Sequence, residues 1–318
     1  MRIVILDGHA INPGDLSWDA LRDLGSLEVF DHTAEELIVP RTREAEAVLT
    51  TRTPLSAQTL TQLKRLRYIG AMFTGFEEID LKAAHELNIV VTNVPTYGTA
   101  SVAQLVFALL LDHCHHVALH NAATHAGEWS RSADFGFWKT PLIELQGKTM
   151  GIVGLGRIGR QVGEIAVALG MRVIADNATR TNAPQWPGFR WCNLDELLRA
   201  ADVVSLHCPL LPQTRGMINA ASLSKMKPGA FLINTSRGPL VVEQDLADAL
   251  NAGRLAGAAV DVLSVEPPSP DNPLLHAKNC IVTPHMAWAT KEARIRLIES
   301  VVTNLRAFVE SHSVNVVD

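Results

Sequence analysis

Three side chains suited to proton transfer and carboxylate binding stand just after apolar runs that we interpret as strands. They are Arg237, Glu266 and His285. A guanidinium binds a carboxylate through two parallel hydrogen bonds and stays cationic, while a histidine titrates near neutrality and can pass a proton. A carboxylate beside that histidine stabilises its protonated form and fixes its tautomer. Because ligands bind at the carboxyl ends of strands in open parallel sheets, we expect the three side chains to act together.

A glycine turn lies upstream of these residues, in the stretch Met150–Gly159. Gly154, Gly156 and Gly159 have the G-x-G-x-x-G spacing between a predicted strand and a predicted helix. The first permits a tight turn, the second lets the backbone approach a pyrophosphate, and the third lets the helix pack close to the strand. The free N–H groups and positive dipole end of the helix favour phosphate. The sequence therefore predicts a dinucleotide site.

The next predicted strand ends at Asp176, where the ribose of the adenosine would be bound. Its charge would repel a 2′-phosphate, which favours NAD over NADP. Arg180 lies four residues later and leaves room for some use of NADP. Taken alone, the arginine, glutamate and histidine described first have structural interpretations as a surface ion pair, a solvated loop residue and a capping residue. Together, beside a dinucleotide site, they favour catalysis.

Two weaker signals have structural interpretations that we prefer. His113, His116 and His120 share a helical face at i, i+3 and i+7. Because no cysteine or carboxylate completes a tetrahedral set, we expect buried or interface histidines and no metal site. Cys208 follows a strand, but nothing suggests a base oriented toward it, so packing near the adenosine is the better interpretation.

Length and composition limit the broad class of protein. A chain of 318 residues predicts about two domains, and a hydrophobic fraction of 47% supports a sizeable core. A net charge of −5 without a long basic run argues against nucleic acid. The first strand meets an acid too early for a signal peptide, and the longest apolar stretch is far short of the roughly 20 residues of a membrane span. Four scattered cysteines fit free thiols in the cytoplasm.

Strands alternate with helices along both halves of the chain, which predicts parallel sheets with helices on both faces. We expect an α/β fold of two doubly wound domains. Residues 1–99 and 287–318 would form a flavodoxin-like substrate (catalytic) domain, and residues 100–286 a dinucleotide-binding Rossmann domain inserted into it. A long helix from about Ser101 to Ala123 would make the first crossing between them.

Smaller elements are also expected within the first domain. Leu16, Ala20, Leu21 and Leu24 have helical spacing and predict a helix over Asp15–Leu24. Thr33 and Glu36 have the spacing of a capping box. A final helix from about Thr290 to Glu310 would return to this domain.

Several motifs together resemble the D-isomer-specific 2-hydroxyacid dehydrogenases, and the resemblance covers essentially the whole chain. The motifs are Gly154–Gly159, Asn234-Thr235-Ser236-Arg237-Gly238, Asp261-Val262 with Glu266-Pro267, and Thr283-Pro284-His285. The stretches Asn12–Trp18 and Ala287–Thr290 are similar to the glycerate dehydrogenase (hydroxypyruvate reductase) branch of that family.

The resemblance implies NAD(H)-dependent interconversion of short 2-oxo acids and D-2-hydroxy acids, with hydroxypyruvate and glyoxylate favoured. Arg237 would bind the substrate carboxylate and polarise the 2-oxo group. His285 would donate the proton to the carbonyl oxygen in reduction and accept it in oxidation. Glu266 would hydrogen-bond His285 and keep it protonated. Hydride would pass from the nicotinamide to C2 in a cleft between the domains.

The resemblance also assigns contacts to the cofactor and the substrate. The cofactor residues are Gly154, Gly156, Arg157, Ile158 and Gly159 at the pyrophosphate, Asp176 at the ribose, Cys208, Pro209 and Thr214 around the adenosine, and Thr235, Ser236, Arg237, Asp261 and His285 toward the nicotinamide. Main-chain N–H groups around Thr74 and Gly75, after Phe73, would bind the substrate carboxylate. Trp138 and Trp288 would line the substrate pocket or fill an interface. The resemblance implies a homodimer.

Two other functions remain open from the sequence. A binding protein of the co-repressor type could use the same scaffold to sense NAD(H), although the set of arginine, glutamate and histidine argues against it. A methyltransferase could use the glycine turn for S-adenosylmethionine, but it leaves those three residues unexplained.

Overall fold

The structure is a computed structural model that describes residues 1–317 and divides into two compact units. Unit 1 comprises Met1–Gly98 and the carboxyl-terminal segment that starts at Trp288. Unit 2 is the inserted segment Thr99–Ala287. The assignment of substrate binding to unit 1 stays a prediction.

Short strands alternate with helices along the chain. The strands are β1 (Arg2–Ile5), β2 (Ser26–Val29), β3 (Ala47–Thr50), β4 (Tyr68–Ala71), β5 (Val90–Thr92), β6 (Thr149–Val153), β7 (Arg172–Asp176), β8 (Arg190–Trp191), β9 (Val203–Leu206), β10 (Phe231–Asn234), β11 (Gly257–Val260) and β12 (Cys280–Val282). The α-helices are α1 (Asp19–Arg22), α2 (Ile38–Thr42), α3 (Ala57–Leu60), α4 (Leu81–Glu86), α5 (Thr99–His115), α6 (Val117–His125), α7 (Arg157–Ala168), α8 (Leu194–Ala200), α9 (Ala220–Leu223), α10 (Glu243–Asn251) and α11 (Lys291–Val309).

Unit 1 is a five-stranded sheet of order β2-β1-β3-β4-β5, and its strand pairs are parallel. That order is the flavodoxin-like one. β3 and β4 are buried at every position, which explains their continuous apolar sequences. One face is covered by α11, which buries Leu297, Val301 and Leu305 against Ile3 and Ile5.

Unit 2 is a seven-stranded parallel sheet of order β12-β11-β10-β9-β6-β7-β8. Chain order reverses at β6, so the unit has the Rossmann arrangement with one further strand, β12, at its edge. Apolar clusters cover both faces of the sheet. Two doubly wound parallel sheets confirm the predicted fold class.

The predicted helix from Ser101 to Ala123 is wrong, because the structure has two helices there. α5 and α6 meet at His116, whose φ is 45°, and the two helix axes are bent by 53°. A left-handed residue ends a helix because the hydrogen-bond ladder cannot continue through it. Tertiary contacts hold the end of α5: the Cys114 carbonyl accepts from the Ile143 N–H at 3.1 Å, and the His113 ring stacks on Phe231 at 4.0 Å.

Two smaller expectations in unit 1 are also wrong. The helix predicted from Asp15 begins only at Asp19, because Asn12 Oδ1 accepts from the N–H groups of Gly14 and Leu16 and closes a loop ahead of it. Thr33 caps no helix. Its hydroxyl donates to the Leu6 carbonyl and accepts from Arg41.

Within residues 1–317, no single helix is long and apolar enough to cross a membrane. The bent pair formed by α5 and α6 meets the length and hydropathy requirement only when the two helices are taken together.

Candidate active site

The residues predicted to bind the cofactor and to react lie along one edge of the unit 2 sheet. Following the strand order, that edge carries Asp176 at the end of β7, the glycine turn after β6, Cys208 after β9, Thr235 after β10, and His285 after β12. Neighbouring strands are about 4.8 Å apart, so β7 and β10 are separated by about 14 Å. The row follows the order expected for an extended dinucleotide, from ribose to nicotinamide.

The three glycines of the turn occupy different surroundings. Gly154 has a φ of +97°, and a Cβ there would lie 2.5 Å from the Cys208 nitrogen. A Cβ on Gly159 would lie 2.2 Å from the Gly154 carbonyl oxygen, so this glycine permits the contact between α7 and the turn. A Cβ on Gly156 would meet no atom of the described chain within 4 Å. Gly156 is exposed at the N-cap of α7, followed by Arg157 and Ile158.

Asp176 closes β7 beside this turn. Its main-chain oxygen accepts from the Gly154 N–H at 2.8 Å, and the neighbouring Asn177 side chain accepts from the Leu155 N–H at 3.0 Å. Burial raises the pKa of the Asp176 carboxyl, and the Arg180 guanidinium, 3.9 Å away, opposes that shift. Asp176, which favours NAD, and Arg180, which would allow some use of NADP, are therefore neighbours in the structure.

Cys208 and its neighbours form the next part of the row. Its thiol contacts the Met217 sulfur at 3.8 Å, and burial raises the pKa of Cys208 to about 11. A protonated thiol in contact with another sulfur fits a packing role, and its place near the adenosine stays a prediction. The Cys208 carbonyl accepts from the Ser236 hydroxyl at 2.7 Å, while the Thr214 hydroxyl donates to the Pro209 carbonyl and stabilises the exposed loop between them.

The edge of the sheet fits a dinucleotide at three points. Thr235 Oγ1 is buried and has no hydrogen-bond partner among the described residues. The face over Gly156 is open to a phosphate, and the N-terminal end of a helix such as α7 favours an anion. Asp176 stands where a ribose hydroxyl would be bound. The cofactor contacts of individual residues stay predictions.

Asp261 anchors the segment that carries the predicted acid–base residue. Its Oδ1 accepts from the Thr283 hydroxyl at 2.6 Å and the Met286 N–H at 2.9 Å, and its Oδ2 accepts from the Ala287 N–H at 2.9 Å. Its main-chain oxygen accepts from the His285 N–H at 2.8 Å. His285 has a φ of 50°, a left-handed conformation held by these bonds.

The structure brings Glu266 and His285 together. Glu266 Oε2 lies 2.7 Å from His285 Nδ1, and Glu266 Oε1 accepts from the Leu263 N–H at 3.0 Å. A carboxylate only accepts hydrogen bonds, so Nδ1 carries the proton and Nε2 remains as the nitrogen that can exchange one. The histidine side chain is 33% exposed, which leaves the ring accessible to a substrate.

Arg237 lies in the loop that follows β10, the strand next to β11. Its Nη1 donates to the Ser236 carbonyl at 3.0 Å, and its own carbonyl accepts from the Asn234 side chain at 2.9 Å. Gly238 follows, and a Cβ there would lie 2.0 Å from the carbonyl carbon of Leu263. This glycine therefore lets the arginine loop lie directly against the segment that leads to the glutamate.

The predicted substrate residues of unit 1 lie at the carboxyl end of β4. The Thr74 hydroxyl donates to the Val94 carbonyl at 3.0 Å, and the Gly75 backbone is partly buried. The rings of Phe73 and Trp288 meet edge to face, with centroids 4.8 Å apart. Trp138, in unit 2, is 70% exposed.

The histidines of α5 and α6 do not assemble a metal site. Among residues 1–317, no group of three histidine, cysteine or acidic side chains could hold an ion. Burial, together with the neighbouring His116, lowers the pKa of His113 to about 4. His120 accepts from the Lys139 N–H through Nε2 at 3.0 Å.

A Rossmann sheet with a glycine turn and an acid at its carboxyl edge defines a dinucleotide-binding protein. Residues 107–287 match the sequence profile described as D-isomer specific 2-hydroxyacid dehydrogenase, NAD binding domain. The chain belongs to the D-isomer specific 2-hydroxyacid dehydrogenase family and is an NAD-dependent oxidoreductase that interconverts 2-oxo and 2-hydroxy acids.

Named relatives cover nearly the whole chain. It is 49% identical to a hydroxypyruvate reductase of Blautia hydrogenotrophica, over 100% of both chains. It is 38% identical to a glycerate dehydrogenase of Methylorubrum extorquens, over 90% of this chain and 89% of the relative. The solved structure of a D-lactate dehydrogenase from Aquifex aeolicus, complexed with NAD and lactic acid, is 29% identical, with a TM-score of 0.84 and coverage of 98% and 96%. These relatives favour the enzyme over the NAD(H) sensor.

The sequence interpretation missed Arg294 of α11. Its side chain is buried and binds Asp15 through two hydrogen bonds of 2.7 Å. A signal was present, because the arginine stands at the start of the buried i, i+3, i+4 pattern that continues through Leu297 and Ile298. A cation at such a position calls for an acidic partner.

Proposed function

We propose that the chain reduces short 2-oxo acids, with hydroxypyruvate and glyoxylate as its substrates, to the D-2-hydroxy acids. The bond between Glu266 and His285 is the observation that carries the proposal. The pair can hold a proton at Nε2 and deliver it to the substrate's carbonyl oxygen. Arg237 would bind the carboxylate and draw electron density from the 2-oxo group.

The bound cofactor supplies the hydride, and the chain's residues supply orientation and the proton. The main-chain N–H groups around Thr74 and Gly75 would bind the substrate carboxylate as well. The proposed substrates are short, in agreement with two relatives of the chain that are named as a hydroxypyruvate reductase and a glycerate dehydrogenase.

A substrate panel tests the proposal. NADH and NADPH consumption would be measured with hydroxypyruvate, glyoxylate, pyruvate and bulkier 2-oxo acids. We expect turnover of the short acids with NADH, and its loss in Arg237→Ala. Tight NADH binding without turnover of any small 2-oxo acid would instead favour the sensor.

We also propose that the chain forms a homodimer in the cytoplasm and binds neither nucleic acid nor membranes. Free thiols and a net charge of −5 support the location and the absence of polyanionic partners. Support for the dimer comes from large apolar side chains that unit 2 exposes between residues 111 and 142. They are Leu111, Val117, Leu119, Trp129, Phe135, Trp138 and Leu142. Exposed apolar side chains that gather into one patch are typical of interaction surfaces.

Sedimentation of the Val117→Asp/Leu119→Asp double variant tests the dimer. Two buried charges at an interface would shift the enzyme from dimer to monomer. A parent enzyme that sediments as a monomer at every concentration rules the proposal out.

A further inference from the structure

A buried arginine of α11 in unit 1 forms an ion pair with an aspartate far away in the sequence. Asp15 lies in the segment Asn12–Trp18, and Arg294 follows the segment Ala287–Thr290. The guanidinium binds both Asp15 oxygens at 2.7 Å, so the pair is bidentate. Hydrogen bonding to Arg294 lowers the pKa of Asp15, which keeps the carboxylate ionised.

Arg294 also holds two main-chain carbonyl groups. Its Nη1 donates to the Ile11 oxygen at 2.9 Å, and its Nε donates to the Ala289 oxygen at 3.1 Å. The buried cation therefore has four acceptors, and the Ala289 carbonyl comes from the residue directly after Trp288. A lysine could not make these bonds together, because its ammonium lacks the planar fork of the guanidinium.

Trp288 directly precedes Ala289, the residue whose carbonyl group Arg294 binds. Its ring packs edge to face on Phe73, and Phe73 also lies 6.3 Å from the Tyr97 ring. Arg296, one half-turn further along α11, donates to the Tyr97 carbonyl at 3.0 Å. Two arginines of one helix thus bind main-chain carbonyl groups at or next to Tyr97 and Trp288, the two aromatic residues whose rings contact Phe73, and Phe73 precedes the predicted carboxylate site at Thr74.

We propose that the Asp15–Arg294 pair is a positioning element that fixes Trp288 against Phe73 and thereby limits the size of the substrate's side chain. The inference rests on the proposed function, because it assumes that this aromatic group faces the substrate. Asp15 and Arg294 touch no substrate themselves. They act by holding the Ala289 carbonyl, and through it the indole ring.

The test compares selectivity between a short and a bulky substrate. The ratio of kcat/KM for hydroxypyruvate to kcat/KM for 2-oxo-4-methylpentanoate would be measured with saturating NADH, together with Tm. We expect Trp288→Ala and Asp15→Asn each to lower the ratio about tenfold, the scale of one or two methylene groups in a pocket. The Asp15→Asn/Trp288→Ala double variant should lose no more than Trp288→Ala, because both changes remove the same constraint.

Glu28→Gln is the matched control. It removes a carboxylate from the exposed Arg2–Glu28 pair of the same unit, at 3.0 Å, and should leave the ratio unchanged. Arg294→Lys provides a second variant with charge retained, and we expect the same loss of selectivity from it. A lower Tm with an unchanged ratio in either variant would assign the pair to stability alone and overturn the proposal. So would losses that multiply in the double variant.

Failure of the proposed function is distinguishable from failure of the inference. A parent enzyme that does not reduce hydroxypyruvate contradicts the proposed function. The inference about the ion pair is decided by comparing the variants with the parent, and this comparison can use any short 2-oxo acid that the parent reduces.

Discussion

The main chain and the ring of His285 are held by different residues, so the contribution of the ring to catalysis can be measured separately. The Asp261 carbonyl fixes its main chain, and Glu266 fixes its ring. The anchoring contacts do not depend on the imidazole alone, because Asp261 also binds Thr283, Met286 and Ala287. The ring can therefore be removed without releasing the segment.

We expect His285→Ala to lower kcat by about 100-fold or more and to leave the Kd for NADH nearly unchanged, because the variant lacks only the proton donor. Steady-state kinetics and NADH fluorescence titration measure the two quantities. Equal kcat values in variant and parent would refute the acid–base role.

Glu266→Gln tests the partner of the histidine. The amide can still approach Nδ1 but carries no charge to stabilise an imidazolium, so we expect kcat for reduction to fall about tenfold or more. Rapid-quench or stopped-flow measurement of NADH oxidation checks the reductive step. Glu243→Gln would be the control: this glutamate accepts from Ser264 and Asn272 near the same loop, and its loss should affect Tm more than kcat.

At the residue scale, pairing of the glutamate and the histidine could be inferred because both follow neighbouring strands of one sheet. The role of Gly238 could not, because the Leu263 backbone that it touches is 25 residues away in sequence and becomes a neighbour only in the folded unit. Arg294 escaped notice for the same reason, since its partner Asp15 lies 279 positions away.

At the scale of single elements, the β6–turn–α7 unit separates folding from ligand binding. Gly159 is needed by the protein itself, since a Cβ there would overlap the Gly154 carbonyl. Gly156 has room for a Cβ within the chain and an ordinary φ of −79°. The same substitution at these two positions, three residues apart, should therefore affect different properties: stability at Gly159 and NADH affinity at Gly156.

We expect Gly159→Ala to lower the free energy of unfolding by about 2–3 kcal/mol through overpacking. Gly156→Ala should leave the unfolding free energy within about 0.5 kcal/mol of the parent. It should raise the Kd for NADH at least about tenfold, because its methyl group stands where a phosphate would approach. Urea unfolding and NADH titration of both variants make the comparison. Unaltered NADH affinity in Gly156→Ala would contradict the placement of the pyrophosphate.

The ends of elements were the part that the sequence predicted least well. Spacing of apolar residues identified the helical surface after Asp15 but not the Asn12 side chain that closes a loop ahead of it. In the α5–α6 region, helical spacing continues through His116, and the break comes from contacts with Phe231 and Ile143, both distant in sequence. Two-residue β8 was not expected, because a run so short carries no periodicity.

On the scale of the whole molecule, the two units differ in how much of the chain each one needs. Unit 2 is continuous, whereas the core of unit 1 combines the first 98 residues with α11. Continuity predicts that a fragment of residues 99–287 folds and binds NADH by itself. Circular dichroism and NADH titration of that fragment test the prediction, and an unfolded fragment would contradict it.

A fragment of residues 1–98 should behave differently. Without α11 the face that includes Ile3 and Ile5 lies bare, so we expect it to bind a dye for apolar surfaces and to aggregate. Adding a peptide of residues 288–317 should suppress both effects. A fragment of residues 1–98 that stays monomeric without dye binding would contradict the expectation.

The position of α11 also has a consequence for synthesis. Domains generally fold as the ribosome releases them, amino terminus first. Here β1 needs Leu297, Val301 and Leu305, which are translated about 300 residues later. At about 5–20 residues per second, the amino-terminal sheet waits some tens of seconds or less with an apolar face exposed. In the living cell unit 2 should therefore fold before unit 1. Chaperones should bind the nascent part of unit 1 during that interval.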